Sequence, residues 1–439
     1  MPPTPNPYPL TVALEQAMQA HQTGRLAEAE HLYQHLLTQA AQHPDALHLL
    51  GVLKAQQGDF DSAHELIWQA IAANPEEAMF HNNLANVCVE RGRFDQAEVL
   101  YVKAIELDGG RIDAMSNLGL LLAKTGRSKD AEKLLLRVVE LAPANPDWRQ
   151  NLANLYYKMG RESDALQQCH DGLVIAPRSK SLRALLVMAY TTMDLKEKAE
   201  EVLRAWLKAE PDDAYARHHL AACTGKDTPE RADDAYVTGV FDGFARSFDA
   251  KLADLCYQAP ALVQAEVKRK TGAPAKTMDV LDGGCGTGLC GLLLEPFARQ
   301  LTGVDLSEGM LRKAASRQIY DELIQGELVA FLASRPASYE LVASADTLCY
   351  FGRLEAFADA AHKALRSNGW LVFTVEALLG KADSQDYVLQ GHGRYSHSAS
   401  YVVQTMGDAG MTDVATQPVV LRNEGGKSVD GWLVSARAP

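Results

Sequence analysis

The chain has no basic excess. Among its 439 residues, 43 lysines and arginines are outnumbered by 56 aspartates and glutamates, a formal charge of −13. Such a surface repels phosphate backbones, so nucleic acid is not an expected partner. No apolar run approaches the roughly 20 residues of a membrane-spanning helix, and no membrane partner is expected. The opening stretch, Met1–Pro9, is rich in proline but has no basic segment followed by an apolar one. It reads as a disordered lead-in over residues 1–9, not as a secretory signal. Cysteines are few: seven, an odd number, and none spaced Cys-x-x-Cys. Reduced thiols in a cytoplasmic protein follow, with no metal site expected.

What the chain does have is length and internal repetition. Its size exceeds one hydrophobic core and predicts two or three domains. Through the first half, Pro75, Gly109, Pro143, Pro177 and Pro211 recur at a step of 34 residues. In phase with them run Gly58, Gly92, Gly126 and Gly160, then Ala63, Ala97, Ala131, Ala165 and Ala199. A further small-residue position holds Gly51, Ala85, Gly119 and Ala153. Small residues let paired helices approach closely, glycine makes the turn, and proline ends the second helix. This pattern resembles the tetratricopeptide repeat (TPR), over residues 10–225, with about six repeats and a capping helix near Asp212–Ala222. A polar linker is expected at 226–234 and a second domain over 235–439.

A stacked array of this kind exposes a concave groove. Asn83, Asn117 and Asn151 share one repeat position, with Asn86 and Asn154 a helical turn further on. Asparagine amides both donate to and accept from a peptide backbone, so a peptide or protein partner in the groove is expected. The arrangement is similar to the asparagine ladder in the TPR superhelix of the O-linked N-acetylglucosamine transferase. The plainer reading, solvated asparagines on an exposed face, stays open, since the flanking equivalents are Leu49 and Leu185. So does dimerisation through the array.

After the linker, apolar runs at 278–281, 301–304, 340–344 and 370–375 alternate with helical stretches, as in an α/β sheet. The first run continues as Val280-Leu-Asp-Gly-Gly-Cys-Gly-Thr-Gly288 and the second ends at Asp305. A glycine turn between strand and helix lets a nucleoside cofactor lie on the backbone, and the later carboxylate can take ribose hydroxyls. Gly286, Gly288 and Gly291 also spell the dinucleotide pattern G-x-G-x-x-G, so a dehydrogenase stays formally open. Asp282, however, would repel a pyrophosphate and tolerate a sulfonium with an α-amino group.

Together with Gly303–Leu311, Tyr339–Tyr350 and Ala364–Phe373, these segments resemble a class I S-adenosylmethionine-dependent methyltransferase, specifically the TPR-linked bacterial kind. The implied fold is an N-terminal all-α TPR solenoid joined to a C-terminal α/β Rossmann-like class I methyltransferase domain. The implied cofactor is S-adenosyl-L-methionine. Matching the motifs assigns Gly284, Cys285, Gly286 and Gly288 to the methionine moiety, with Asp282 near its amino group. Asp305 and the adjacent Leu306 would meet the ribose, Met310 the adenine, and Glu327 and Leu328 the adenine edge. Ala345 and Asp346 would face the reacting methyl, with a structural cap as the other reading of Asp346. Two departures stand out: Gly283 replaces a usually bulkier residue, and Asn368 replaces a usual glycine.

On the acceptor side, Gly393-Arg-Tyr-Ser-His-Ser398 is a polar cluster typical of this TPR-linked family. His397 is read as a general base or as a helix cap, and Arg394 as the holder of an acidic group, with Tyr395 and Tyr350 beside them. Phe244 and Phe248 are read as lid or acceptor contacts, or as core. The expected function is a methyltransferase whose array recruits a peptide or protein. Two alternatives stay open: a small-molecule enzyme with an oligomerising array, and a non-catalytic scaffold.

Overall fold

The computed structural model describes residues 8–245, 247–380 and 385–439. Most of the expected lead-in therefore lies outside the described residues, and the first helix already begins at Tyr8. The chain divides into two compact units, residues 1–189 and 190–439.

The first unit is helical. Helices α1–α10 run in pairs from Tyr8 to Ile175, and α11 (Lys180–Thr192) crosses the division between units. The repeat step sets their phase: α4, α6, α8 and α10 start at Phe60, Phe94, Ser128 and Glu162. Gly58, Gly92, Gly126 and Gly160 sit at φ between +68° and +85°, left-handed turns that L side chains resist. Asp194 takes the same φ region (+57°) at the next repeat step. The small residues are explained by contact. A Cβ on Gly51 would lie 2.6 Å from Ile67 Cγ1, and one on Gly119 2.9 Å from Leu135 Cδ2.

The second unit begins with the last repeat-phased helices, α12 (Lys196–Ala209) and α13 (Ala214–Thr224), the latter capped by Asp213. Among the described residues a mixed sheet of nine strands follows. Its parallel part runs in the order β3 (Glu322–Gln325), β2 (Ala298–Asp305), β1 (Met278–Gly283), β4 (Tyr339–Ser344), β5 (Leu365–Ala377). Beyond β5 the sheet forks. Trp370–Glu376 pair antiparallel with β9 (Lys427–Arg437), whose hairpin partner is β8 (Thr412–Glu424). The tip of β5 pairs with β7 (Tyr395–His397), itself paired with β6 (Tyr387–Leu389). The strand alternation fills two cores. Leu281, Val342 and Phe373 face one side of the sheet, Val280, Leu341 and Val372 the other. This is the α/β Rossmann-like architecture, with its antiparallel edge added.

Strand order reverses direction at β1, which lies between β2 and β4, so the ends of β1, β2 and β4 open a crevice. Residues 226–234, read as a linker, are tied onto the unit. Arg231 bridges to Phe351, Gly352 N donates to Glu230 O at 2.8 Å, and Tyr395 Oη donates to Pro229 O at 2.7 Å. Asn368 adopts φ +67°, the conformation a glycine would take without strain. Gly283 makes room for Leu328, whose Cδ1 would lie 2.9 Å from a Cβ there. Among the described residues no helix is long and apolar enough to cross a membrane.

Candidate cofactor and acceptor site

The turn after β1 is held open by its neighbours. Gly284 N and Cys285 N both donate to Val304 O, at 2.8 and 3.0 Å, which pins the turn against the end of β2. Gly284, Gly286 and Gly288 all have positive φ, +70°, +54° and +87°. Gly284 packs on Thr347, whose Oγ1 would lie 2.1 Å from a Cβ. Above Gly286, by contrast, the nearest atom to a Cβ would be Phe248 Cε1 at 4.0 Å. Backbone there is accessible from a cavity of about 350 Å³.

Asp305 ends β2 and shapes the turn. Its Oδ2 accepts from Gly286 N at 2.8 Å and its Oδ1 from Ser307 N at 2.9 Å. Burial, opposed by these amides, raises its pKa above the ordinary carboxylate value. Ser307, not Asp305, caps the following helix α18 (Glu308–Ser316), accepting from Met310 N at 3.1 Å. Asp305 therefore keeps acceptor capacity toward the cavity it lines, beside Leu306, Met310, Leu328 and Ala345. Cys285 lines it too, as a thiol that burial holds well above its usual pKa. Glu327 lines it as well, but its two oxygens accept from Val329 N and Ala330 N and cap α19 (Leu328–Ala333).

Four expected residues fall outside the cavity wall. Asp282 points beneath the sheet, where its Oδ2 accepts from Tyr320 Oη at 2.7 Å, and burial pushes its carboxyl up to about 7. The charge argument drawn from it in favour of a sulfonium has no geometric basis here. Gly288 lies under Arg317 and Tyr320, which would sit 3.1 Å from a Cβ. His397 is fully buried in β7, its Nε2 3.0 Å from Gly352 O and its ring stacked on Tyr401. Burial pushes its pKa down to about 4. It does not act as a base on the cavity, nor does it cap the next helix. Ser398 does that, accepting from Tyr401 N in α21 (Ala399–Asp408). Tyr395, likewise buried, is spent on Pro229 O.

Arg394 and Tyr350 do line the cavity, with Asp346. There they meet residues that sequence reasoning missed: Tyr257, Arg422 and Glu424. Arg422, in β8, donates to Asp346, Glu376 and Glu424, one carboxylate per nitrogen. Arg394 donates through Nε to Glu376 at 2.5 Å and through Nη2 to Glu424 at 2.7 Å. The loop carrying Arg394 is fixed from α13. His218 Nε2 lies 2.8 Å from Gly393 O, and at φ +88° Gly393 leaves no space for a Cβ against Tyr236 Oη, 2.6 Å away. No local motif marks Arg422, which reaches the site only through sheet pairing.

Two helices cover the cavity, α14 (Asp234–Phe244) and α15 (Phe248–Asp254), and Phe241, Phe244 and Phe248 form its wall. Two aspartates moor them to the glycine turn and the start of α18. Asp242 Oδ1 accepts from Ser307 Oγ, and Asp249 from Thr287 Oγ1, both at 2.5 Å. The stretch therefore walls the cavity and is tied to the turn beneath it.

In the first unit the asparagines are half-buried and bond one repeat to the next. Asn117 Nδ2 donates to Asn82 and Asn86 at 3.2 and 3.1 Å, and Asn151 Nδ2 to Ser116 Oγ at 3.1 Å. Asn83 Nδ2 lies 2.8 Å from His48 Nε2, and Asn86 also accepts from Tyr101 Oη at 2.6 Å. Asn154, half-buried, follows Asn151 by three residues on the same helix, α9 (Pro146–Lys158). Part of the amides' capacity is thus used within the array.

Comparison with known proteins finds similarity in both parts of the chain. Residues 281–373 match the family model described as methyltransferase domain. Residues 20–87, 76–144 and 116–179 match tetratricopeptide repeat models. A malonyl-[acyl-carrier protein] O-methyltransferase of Priestia megaterium is 30% identical over 162 residues, 36% of this chain and 55% of that one. A ubiquinone biosynthesis O-methyltransferase of Idiomarina loihiensis is 35% identical over 101 residues, 22% of this chain and 41% of that one. The structure of a thermophilic TPR protein from Thermus thermophilus aligns with TM-score 0.37 at 25% identity, over 42% of this chain and 99% of that one. The chain spans between 19% and 55% of the length of the curated relatives it matches. It carries tetratricopeptide repeats followed by a class I methyltransferase domain.

Proposed function

We propose that this chain, a repeat array joined to a methyltransferase domain, transfers a methyl group from S-adenosyl-L-methionine to an acceptor that the array recruits as a peptide or protein. The supporting observation is the glycine turn opened onto a cavity beside Asp305: space above Gly286, a carboxylate with spare acceptor capacity, and an apolar wall of Leu306, Met310 and Leu328. These fit a nucleoside with free ribose hydroxyls and an apolar base. Gly284, Cys285, Gly286 and Ala345 would hold the amino-acid end, with Gly288 shaping the turn. Bound there, the cofactor supplies a sulfonium methyl for in-line displacement. The chain's own part is positioning: Asp305 orients the ribose, and Phe241, Phe244 and Phe248 exclude water.

The acceptor end is the region of Asp346, Tyr350 and Arg394. A small-molecule acceptor is the second reading, favoured by relatives named as O-methyltransferases of carrier-bound and quinone precursors. In that case the array serves oligomerisation. A scaffold without catalysis is the third, and the intact turn and Asp305 weigh against it. A cytoplasmic setting goes with the reduced cysteines. Titration calorimetry of the full chain with S-adenosyl-L-methionine and with NAD tests the reading. Binding of the first alone is expected, and binding of NAD alone would sink it.

A further inference from the structure

The ladder asparagines lie on α5 (Ala78–Glu90), α7 (Ile112–Lys124) and α9. The alternate helices α4 (Phe60–Ala73), α6 (Phe94–Leu107) and α8 (Ser128–Leu141) carry a different pattern. On them Trp68, Val102 and Leu136 recur at the 34-residue step and are 54%, 39% and 39% exposed. The same position holds Gln34 one repeat earlier and His170 one repeat later, so the apolar row is bounded at both ends. Val99, one turn from Val102 on α6, is 68% exposed. A lone exposed apolar residue is ordinary, but a row of them along a cavity marks a contact surface.

That cavity, of about 580 Å³, runs between α4 and α6, with Trp68, Val99 and Val102 along it. Its charged lining is Asp95, Glu98 and Glu106 against Lys103 alone. Glu98 is engaged by Arg127 at 2.6 Å. Asp95 and Glu106 are exposed and have no basic partner among the described residues. The His64 ring stacks on Trp68, 6.5 Å away and parallel within 2°, and the indole still keeps half its surface open. An exposed indole beside uncompensated carboxylates attracts a cation, because the ring's negative face and the acids act in the same sense.

We propose that the groove between α4 and α6 docks a segment of another protein that carries apolar side chains beside lysine or arginine. The inference concerns a surface apart from the asparagine ladder and does not rest on the methyl-transfer reading. The apolar row takes the partner's apolar side chains. Trp68 stacks on the stem and head of a cationic one, and Asp95 and Glu106 meet its charge. Charge argues against the other occupants. A second copy docking through the same face would set its Asp95 and Glu106 against these. Nucleic acid or an anionic lipid surface would meet the same carboxylates on a chain of net charge −13.

The test is fluorescence anisotropy of two labelled amphipathic peptides with the full chain, one built of leucine and lysine, the other of leucine and glutamate. The lysine peptide alone is expected to bind. Trp68→Ala should weaken it about thirtyfold, and Asp95→Asn with Glu106→Gln about fivefold, with thermal melts confirming that the variants stay folded. Equal binding of the glutamate peptide, or binding indifferent to Trp68→Ala, overturns the proposal. Sedimentation of the chain alone covers the remaining occupant: a dimer that Trp68→Ala turns into a monomer puts a second copy in the groove and overturns it as well. Failure of the methyltransferase reading would show separately, as loss of calorimetric binding of S-adenosylmethionine.

Discussion

Asp282 gives the sharpest quantitative test of the structure. It is 1% exposed, and among the described residues its Oδ1 has no partner and Tyr320 Oη is the one side-chain donor to it. Burial, opposed by Tyr320, moves its carboxyl from 3.8 to about 7. Between those values the folded chain keeps the proton while the unfolded chain releases it, so stability falls as pH rises and levels off above the folded value. Each pKa unit is worth about 1.4 kcal/mol, and the group is half-titrated at pH 7, so the fall over pH 5 to 7 is roughly 2 kcal/mol. In Asp282→Asn the side chain carries no charge at any pH and can still accept from Tyr320, so this slope disappears. Hydrogen exchange of β1 peptides (residues 278–283) at pH 5 and pH 8 measures the stability of the second unit directly. The wild-type minus variant difference should drop by roughly 2 to 3 kcal/mol between the two pH values. A difference that stays flat would refute the placement of Asp282 in a dry site beneath the sheet.

Three further outcomes follow from named contacts. Asp305→Ala strips acceptors from Gly286 N and Ser307 N, and should cost roughly 1 to 3 kcal/mol of stability and abolish calorimetric binding of S-adenosylmethionine; retained affinity would remove Asp305 from the proposed site. Asn117→Ala cuts the link to Asn82 and Asn86, so thermal unfolding of the array should shift by the equivalent of about 1 to 2 kcal/mol. If melting is unchanged, the amides are solvated rather than structural. His397→Gln should lower stability by roughly 1 to 3 kcal/mol, because a buried ring and its bond to Gly352 O are lost, while leaving cofactor affinity unchanged. Lost affinity at full folding would return His397 to the cavity.

The ladder asparagines show how far periodicity reaches. Their shared face was legible because helical spacing is local, but their partners lie one repeat away, as with Asn117 and Asn82. The acceptor cluster 394–398 shows the limit. Arg394 and His397 are three residues apart, yet only Arg394 reaches the cavity. His397 sits on β7, paired with the tip of β5, and faces the buried side. A one-residue change in strand facing reverses a side chain's environment, and sequence spacing alone does not fix that facing where the strand is three residues long.

The sequence by itself determined what depends on near neighbours: the 34-residue step, the left-handed glycines, the strand–turn–strand unit ending at Asp305, and the alternation of the central strands. These follow from backbone sterics and burial within a few residues. Tertiary structure decided what depends on distant pairing. It set Asp282 beneath the sheet, moored α14 and α15 through Asp242 and Asp249, and forked the sheet at β5. That fork brings Arg422 to Asp346, 76 residues away in sequence, and with it the charge arrangement at that end of the cavity. Long-range pairing is set by the global packing of apolar faces, so no local pattern announces it.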